Sequence, residues 1–99
     1  MDMKEPKLGP TAQKALLLLF GGLALGLSGS PAKYFRILKT IQKDWQRINR
    51  YNLHRAIKKL YQSHLIEAKD NPDGTATIIL TKEGRARALT YKINEIHYK

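Results

Sequence analysis

The sequence predicts an α+β fold that is mainly helical and carries one small β-hairpin. Three observations support this prediction. Apolar residues recur every three or four positions through most of the chain, as they do on one face of a helix. They alternate with polar residues around 65–69 and 75–80, as they do in strands. Between these two segments, the turn-forming sequence "DNPDG" (70–74) joins them into a hairpin.

An uncharged apolar run of thirteen residues, 15–27, stands near the start of the chain. It is too short to span a membrane, which takes about 20 residues. A secretion signal is an alternative, because an apolar segment of about 7–15 residues followed by small residues is its expected pattern. Asp2 and Glu5 argue against a signal, since they dilute the positive charge expected in front of it. We therefore predict a buried helix over 11–27 that is capped by Thr11.

A second helix is predicted over 31–42. Ser30 is a good N-cap, and Pro31 is a good first helical residue. The apolar stripe of this helix consists of Tyr34, Leu38 and Ile41, with Phe35 beside it. The next segment, "DWQRIN", has weak helical periodicity, so we expect a turn or a short extended piece there, anchored by Trp45 and Ile48.

The third helix, over 50–63, has the clearest amphipathic pattern, and Asn49 precedes it as an N-cap. Its inward positions are Leu53, Ile57, Leu60 and Tyr61. A step of about 100° per residue places Lys58 on the flank and His54 near the inner border. The same angular step places five residues on the outward side of the helix: Tyr51, Asn52, Arg55, Lys59 and Gln62.

The C-terminal part is predicted to be the hairpin followed by one more helix. The inward strand positions are Ile66, Ala68, Ala76, Ile78 and Leu80. Thr81 is the expected N-cap of the last helix. Its expected buried stripe is Ala86, Leu89, Ile93 and Ile96. Arg87, Tyr91 and Tyr98 then face outward, where they form either a homodimer contact or a partial cover over the hairpin.

The charge of the chain is strongly positive and unevenly distributed. Eighteen Lys and Arg face eight Asp and Glu, which gives a formal net charge of +10 and a pI near 10.0. Within 31–64, nine cations stand against one acid, Asp44, so this segment carries +8. Such a balance favours a polyanionic partner, nucleic acid before an anionic membrane. The absence of cysteine excludes disulfides and thiolate chemistry, and it fits a cytoplasmic protein.

Catalytic and metal chemistry have no support in the sequence. His54, His64 and His97 fall on different predicted elements, without the spacing of a metal site. The glycines of "FGGLALG" lie inside an apolar predicted helix and do not follow a strand, so they are not a phosphate-binding loop. We expect no enzymatic activity, no cofactor and no metal.

The predicted order of three helices, a two-stranded hairpin and a last helix is that of the winged helix-turn-helix fold, in which the third helix enters the major groove of DNA. Arg can pair with guanine, and Asn or Gln with adenine. The residues predicted to read bases are Tyr51, Asn52, Arg55, Lys59 and Gln62. The residues predicted to contact phosphates are Lys33, Arg36, Lys39, Lys43, Arg47, Arg50 and Lys58.

The hairpin tip, the wing of such a fold, gives a mixed signal. Lys69, Asn71 and Gly74 are the candidate wing contacts. Asp70 and Asp73 would repel phosphates. We therefore expect the wing to contact DNA through backbone N–H groups or not at all.

The run "RINRYNLHRAIKKLYQSHLIEAKDNPDGTATIILTKEGRARAL" contains the turn "NPDGT" and the helix start "LTKEG". It resembles the N-terminal winged-helix domain of the phenylacetic-acid-catabolism repressor (PaaX-type) family, and the resemblance covers about residues 12–96. It implies a bacterial transcription regulator, usually dimeric, and a repressor. The recognition role carries over to Tyr51, Asn52, Arg55, Lys58 and Lys59.

In that family a ferredoxin-like domain, similar to CRISPR-associated integration-complex proteins, often follows the winged helix. We expect this chain to comprise a flexible arm over 1–10 and one DNA-binding domain over 11–99, as a stand-alone module or as one separated from a second domain. Two other functions stay open. The basic face could bind an acidic protein, or the chain could be an RNA-binding accessory.

Overall fold

The computed structural model describes residues 8–30, 34–38 and 43–97. Over these residues the chain is an α+β domain with four helices and one four-stranded antiparallel sheet. The helices are α1 (Pro10–Phe20), α2 (Lys43–Gln46), α3 (Arg50–Gln62) and α4 (Lys82–His97). The strands are β1 (Gly26–Ser30), β2 (Tyr34–Leu38), β3 (Ile66–Asp70) and β4 (Thr75–Leu80).

The sheet has the strand order β2-β1-β4-β3, and every neighbouring pair is antiparallel. The predicted β3–β4 hairpin is confirmed, with Ala68 opposite Ile78. The prediction of a two-stranded sheet is wrong, because β1 pairs with β4 and carries β2 on its other side. Leu27 stands at the centre of this larger sheet, opposite both Ile37 and Ala76.

The first helix is shorter than predicted. It begins at Pro10 after Gly9 and ends at Phe20, so the predicted cap Thr11 lies inside it. Gly22 has a positive φ of 94°, a conformation that breaks the helix. The second half of the apolar run then alternates: Leu25 and Leu27 are buried, and the chain has entered β1. In the part of the chain that the structure describes, no helix combines the length and hydrophobicity that crossing a membrane requires.

The predicted helix over 31–42 is wrong in its described part, because residues 34–38 form strand β2. Phe35 and Ile37 are buried, whereas Tyr34, Arg36 and Leu38 are exposed. This alternation of buried and exposed residues is that of a strand, and it replaces the predicted helical stripe in which Tyr34 and Leu38 face the core. Pairing with β1 decides the structure here, and Ser30, the predicted N-cap, belongs to β1. Ile41 lies outside the described residues, together with the predicted positions Lys33 and Lys39.

The segment predicted as a turn or extended piece contains the short helix α2. Trp45 and Ile48 are its buried anchors, as predicted. The third helix is confirmed within one residue of its predicted end. Asn49 caps it, since its side-chain oxygen accepts a hydrogen bond from the backbone N–H of Asn52 at 3.1 Å.

The last helix is confirmed, but it is rotated relative to the prediction. Thr81 caps it as expected, because its hydroxyl oxygen accepts from the Gly84 backbone N–H at 3.0 Å. Ala86, Leu89 and Ile93 were predicted to be buried and are exposed. The side of α4 that faces the body of the molecule instead carries Gly84, Ala88, Arg87 and Tyr91.

Close packing at Gly84 explains this rotation. A side chain at position 84 would clash with the Leu65 backbone oxygen, so α4 approaches the start of β3 through a residue without a side chain. Arg87 and Tyr91 are half-buried, and the Arg87 guanidinium donates to the Tyr91 hydroxyl at 3.2 Å. These two side chains do not point fully outward, and the half-burial of Tyr91 against the core is closer to the predicted alternative of a partial cover. Tyr98 and the side chain of Ile96 lie outside the described residues.

The hydrophobic core lies between the helices and one face of the sheet. Trp45, Leu53, Ile57 and Leu60 are fully buried in it, with Leu16 from α1. The core fixes the orientation of α3, because the apolar side of this helix has no other place to be buried. The opposite side of α3 is therefore left in solvent.

Candidate functional site

The outward face of α3 is the largest group of predicted site residues that the structure brings together. The inward side of the helix carries Leu53, Ala56, Ile57 and Leu60, all buried. The outward face, as we use the term below, consists of Tyr51, Asn52, Arg55, Lys58, Lys59 and Gln62, all exposed. The helix contains no acidic residue, so the positive charge of this face is not compensated within α3.

Arg55 lies at the centre of the outward face and contacts its aromatic residue. Its guanidinium carbon is 5.7 Å from the centroid of the Tyr51 ring, within the range of a cation–π interaction. Tyr51 is 68% exposed, so the pair lies at the surface. The contact limits the freedom of the Arg55 side chain and leaves its N–H groups able to donate to a ligand.

One flank of the outward face is attached to the sheet. Nε2 of His54 lies 3.1 Å from the Phe35 carbonyl oxygen, and the two rings stack with centroids 4.2 Å apart and planes 7° apart. The carbonyl can only accept, so Nε2 of His54 carries the proton in this hydrogen bond. Arg50 donates to the Ile37 carbonyl oxygen at the long distance of 3.5 Å. These contacts cover the edge of β2 with side chains of α3.

The other flank borders the start of α1. An open cleft of about 360 Å³ there is lined by Gly9, Pro10, Thr11, Ala12, Asn52, Arg55, Ala56 and Lys59. The first turn of α1 contains no acidic residue, and no side chain caps it. Its free backbone N–H groups therefore add to the positive potential of Arg55 and Lys59.

A short helix and a tight connection lead into α3. Three residues, 47–49, separate the end of α2 from the start of α3. The buried Trp45 and Ile48 fasten this connection to the core. Lys43 and Arg47, two predicted phosphate contacts, are exposed on α2 and on the connection. The structure therefore places them on the segment that precedes the outward face.

Arg36 is separated from the other predicted phosphate contacts. It is exposed on the face of the sheet that points away from the core, between the buried Phe35 and Ile37. Lys33 and Lys39 lie outside the described residues. The predicted phosphate set therefore divides between the sheet and the α2–α3 region.

The hairpin tip is held together by its own side chains. The carboxylate of Asp73 accepts from the backbone N–H of Thr75 at 3.0 Å and from its hydroxyl at 2.6 Å. The Thr75 hydroxyl, followed by the backbone N–H, lowers the pKa of Asp73 below its usual value. Asn71 donates from its amide to the hydroxyls of Thr75 and Thr77, both at 3.0 Å.

These hydrogen bonds determine which of the predicted wing residues are exposed to a ligand. The Asn71 side chain is half-buried and engaged inside the turn. Lys69 and Gly74 are exposed, and Gly74 has a positive φ of 87°. Asp73 stays ionised at neutral pH, so the tip carries negative charge beside the one exposed cation, Lys69.

Sequence reasoning missed two features of this site. The sequence places His54 at the inner border of α3. The contact of His54 with β2 could not be predicted, because residues 34–38 were predicted to be helical. The sequence also gave no indication of the cleft between α1 and α3, because that cleft joins residues about 45 positions apart. Within the described ranges, no three His, Asp or Glu residues lie together as a metal site would require.

The comparisons with known proteins are negative. No family model, no curated protein sequence and no solved structure is significantly similar to the chain. The resemblance to PaaX-type repressors therefore stays a prediction.

Proposed function

We propose that this protein binds duplex DNA through the outward face of α3 and acts as a winged-helix transcription regulator of the repressor type. The observation that carries the proposal is the composition of that face. Three cations, two side-chain amides and a tyrosine are exposed on one helix without an acidic residue. Arg and amide side chains are those that pair with guanine and adenine in the major groove.

The surrounding elements support a helix-turn-helix arrangement. The short α2, the three-residue connection and α3 follow in the order of that motif, and the β3–β4 hairpin follows α3 directly. Lys43 and Arg47 lie on α2 and the connection, where cations can contact the phosphates beside the groove. In this proposal they set the register of the protein on DNA, and α3 reads the bases.

The wing has a small role in this proposal. Its tip carries the ionised Asp73 and the exposed Asp70, and its only side-chain amide, that of Asn71, is engaged inside the turn. Affinity therefore comes from α2, the connection and α3.

The test is selection of preferred duplexes from a random pool at physiological salt, followed by binding measurements on the selected sequence. Arg55→Ala should reduce the free energy of DNA binding by about 1–3 kcal/mol and relax base preference. Lys43→Ala should instead weaken binding to all DNA sequences about equally. Lys92→Ala removes an exposed cation that belongs to neither α2, the connection nor α3, and it is the control; it should change affinity less than twofold. An equal loss for Arg55→Ala on every sequence would show that Arg55 does not read bases.

Salt dependence tests the electrostatic part of the proposal. Neutralising about six phosphates gives a slope of log K against log[salt] near −5. A slope near −1 would contradict binding by a basic face. Competition with structured RNA separates the proposed function from RNA binding, because the duplex should compete at least tenfold better.

A further inference from the structure

An open apolar groove at the C-terminal end of α1 has no role in the DNA-binding proposal. Its volume is about 340 Å³, and it lies between the end of α1, the segment that leads into β1, the end of β4 and the first turn of α4. Eight of its nine lining residues are apolar or glycine, and the ninth is Arg85. The cleft beside α3 borders the other end of α1, so the groove is separate from the outward face.

The hydrogen-bonded end of α1 shapes one wall of the groove. Gly22 has a positive φ, and its backbone N–H donates to the Leu19 carbonyl oxygen at 3.0 Å. The Leu23 N–H donates to the Leu18 carbonyl oxygen, also at 3.0 Å. This pair of bonds is the Schellman arrangement, which turns the chain back beside the helix that it ends. Leu23 therefore lines the groove together with Leu19 and Phe20, and the carbonyls of Leu18 and Leu19 are already engaged.

The apolar lining is only partly used by the core. Leu19, Phe20, Leu23 and Leu80 pack against the core and are half-buried, so each keeps apolar surface in the groove. Ile79, on the neighbouring strand, is 40% exposed. A cavity of about 150 Å³ holds benzene, so a groove of this volume has room for roughly a dozen non-hydrogen atoms. An alkyl chain of medium length fits that space.

Arg85 gives this apolar groove its one charge. Its side chain is exposed, and in the described part of the chain its guanidinium has no hydrogen-bond acceptor and no ion-pair partner. Glu83, two residues earlier on α4, lies about 160° around the helix from Arg85. Glu67 stands opposite Ile79 in the β3–β4 ladder and does not line the groove. A free guanidinium beside apolar side chains is suited to a carboxylate, which it can bind through two parallel N–H···O bonds.

We propose that the groove binds a medium-chain fatty acid, with its alkyl chain along Leu19, Phe20 and Leu23 and its carboxylate on Arg85. Both parts of the site select this ligand. A small inorganic anion would leave the apolar lining in water, and an uncharged alkyl compound would leave Arg85 unpaired. Because the ligand is small and the groove is open to solvent, the dissociation constant should lie in the millimolar range.

The test is an NMR titration of the labelled full chain, without DNA, with octanoate and with 1-octanol as the probes. The two compounds share an alkyl chain and differ in charge. Octanoate should bind about fivefold more tightly than 1-octanol, because only the carboxylate can accept from Arg85. Both should shift the amide signals of residues 19–24 and 78–85. Equal affinities, or no binding of octanoate at tens of millimolar, would overturn the proposal.

Matched substitutions separate a local contact from the general attraction of an anion to a chain that carries +10. Arg85→Gln should lower the affinity for octanoate about fivefold and leave the affinity for 1-octanol unchanged. Lys92→Gln removes the same charge from an exposed position of α4 outside the groove, and it should change octanoate binding less than twofold. Equal losses in the two variants would mean that net charge attracts the carboxylate, which would contradict the proposed site.

A chain-length series on the unmodified protein tests the apolar part of the site. From butanoate to octanoate, each added CH₂ group should tighten binding about twofold, since full burial of one is worth about fourfold and the groove is open on one side. An affinity that does not depend on chain length would show that the alkyl chain is not bound, and the proposal would fail.

The fatty-acid proposal and the DNA-binding proposal fail separately. The titrations contain no DNA, and the groove lies at the end of α1 that is remote from α3. Arg85→Gln should therefore change the affinity for a selected duplex less than twofold. A larger loss of duplex binding would show that Arg85 belongs to the DNA-binding surface and would contradict its assignment to a separate site.

Discussion

At the scale of single residues, the hairpin turn illustrates how a local pattern fixes both geometry and charge. Asp73 accepts two hydrogen bonds from Thr75, and they lower its pKa. A carboxylate with a lowered pKa stabilises the folded state above its unfolded pKa, and that contribution disappears as the pH falls through the folded value. The contribution of Asp73 to stability should therefore decline under acidic conditions.

Thr75→Val tests this account, because it removes the hydroxyl and keeps both the β-branched shape and the backbone N–H. The pKa of Asp73 should rise toward its ordinary value, since the hydroxyl is the largest cause of the shift. A proton–carbon NMR titration of the Asp73 side chain measures it. An unchanged titration curve would mean that the Thr75 hydroxyl has no influence on this carboxyl.

Gly84 is the residue at which α4 is most sensitive to substitution. Gly84→Ala places a Cβ against the Leu65 backbone oxygen, and backbone cannot move aside as a flexible side chain can. We expect a loss of about 3 kcal/mol in the free energy of unfolding, at the upper end of overpacking costs. Gly9→Ala, where the new Cβ has nothing within 4 Å, should cost less than about 1 kcal/mol. Urea denaturation measures both, and equal losses would contradict the packing of α4 on β3.

At the scale of elements, the attachment of β2 to α3 stabilises the border of the candidate site. The edge strand is covered by the His54 side chain, which stacks on Phe35 and bonds its carbonyl oxygen. His54→Ala should reduce stability by about 1–2 kcal/mol and accelerate amide exchange in residues 34–38. Gln62→Ala, an exposed change on the same helix, should do neither. Similar exchange rates in both variants would show that the stack does not hold β2.

The elements also differ in how far the sequence predicts them. Helix α3 is predicted because its amphipathic period, its Asn49 cap and its burial agree. Strand β2 is not, because "YFRIL" satisfies a helical spacing through Tyr34 and Leu38 and a strand spacing through Phe35 and Ile37. Only pairing with β1 decides between them, and that pairing is tertiary.

The buried face of α4 could not be predicted from the sequence for a different reason. Its inward side is marked by Gly84 and Ala88, small residues that carry little hydrophobic signal, whereas Leu89 and Ile93 carry a strong one. Close backbone approach at Gly84 outweighs the burial of two larger side chains. Of the candidate site, the exposed residues of α3 are predictable from periodicity, while the neighbours supplied by β2 and α1 are not.

At the scale of the whole molecule, the fold determines where part of the positive charge is exposed. The chain carries +10, and the outward face of α3 presents three of its cations on a helix anchored by the core. One side of the molecule is therefore suited to a polyanion.

The most direct measurement is NMR chemical-shift mapping of the labelled protein during titration with a selected DNA duplex. The account predicts that the largest amide shifts fall on α3 and on the α2–α3 connection, centred on Arg55, with small shifts on α4. Shifts concentrated instead on the outer sheet face around Tyr34 and Lys69, or none at millimolar duplex, would contradict it.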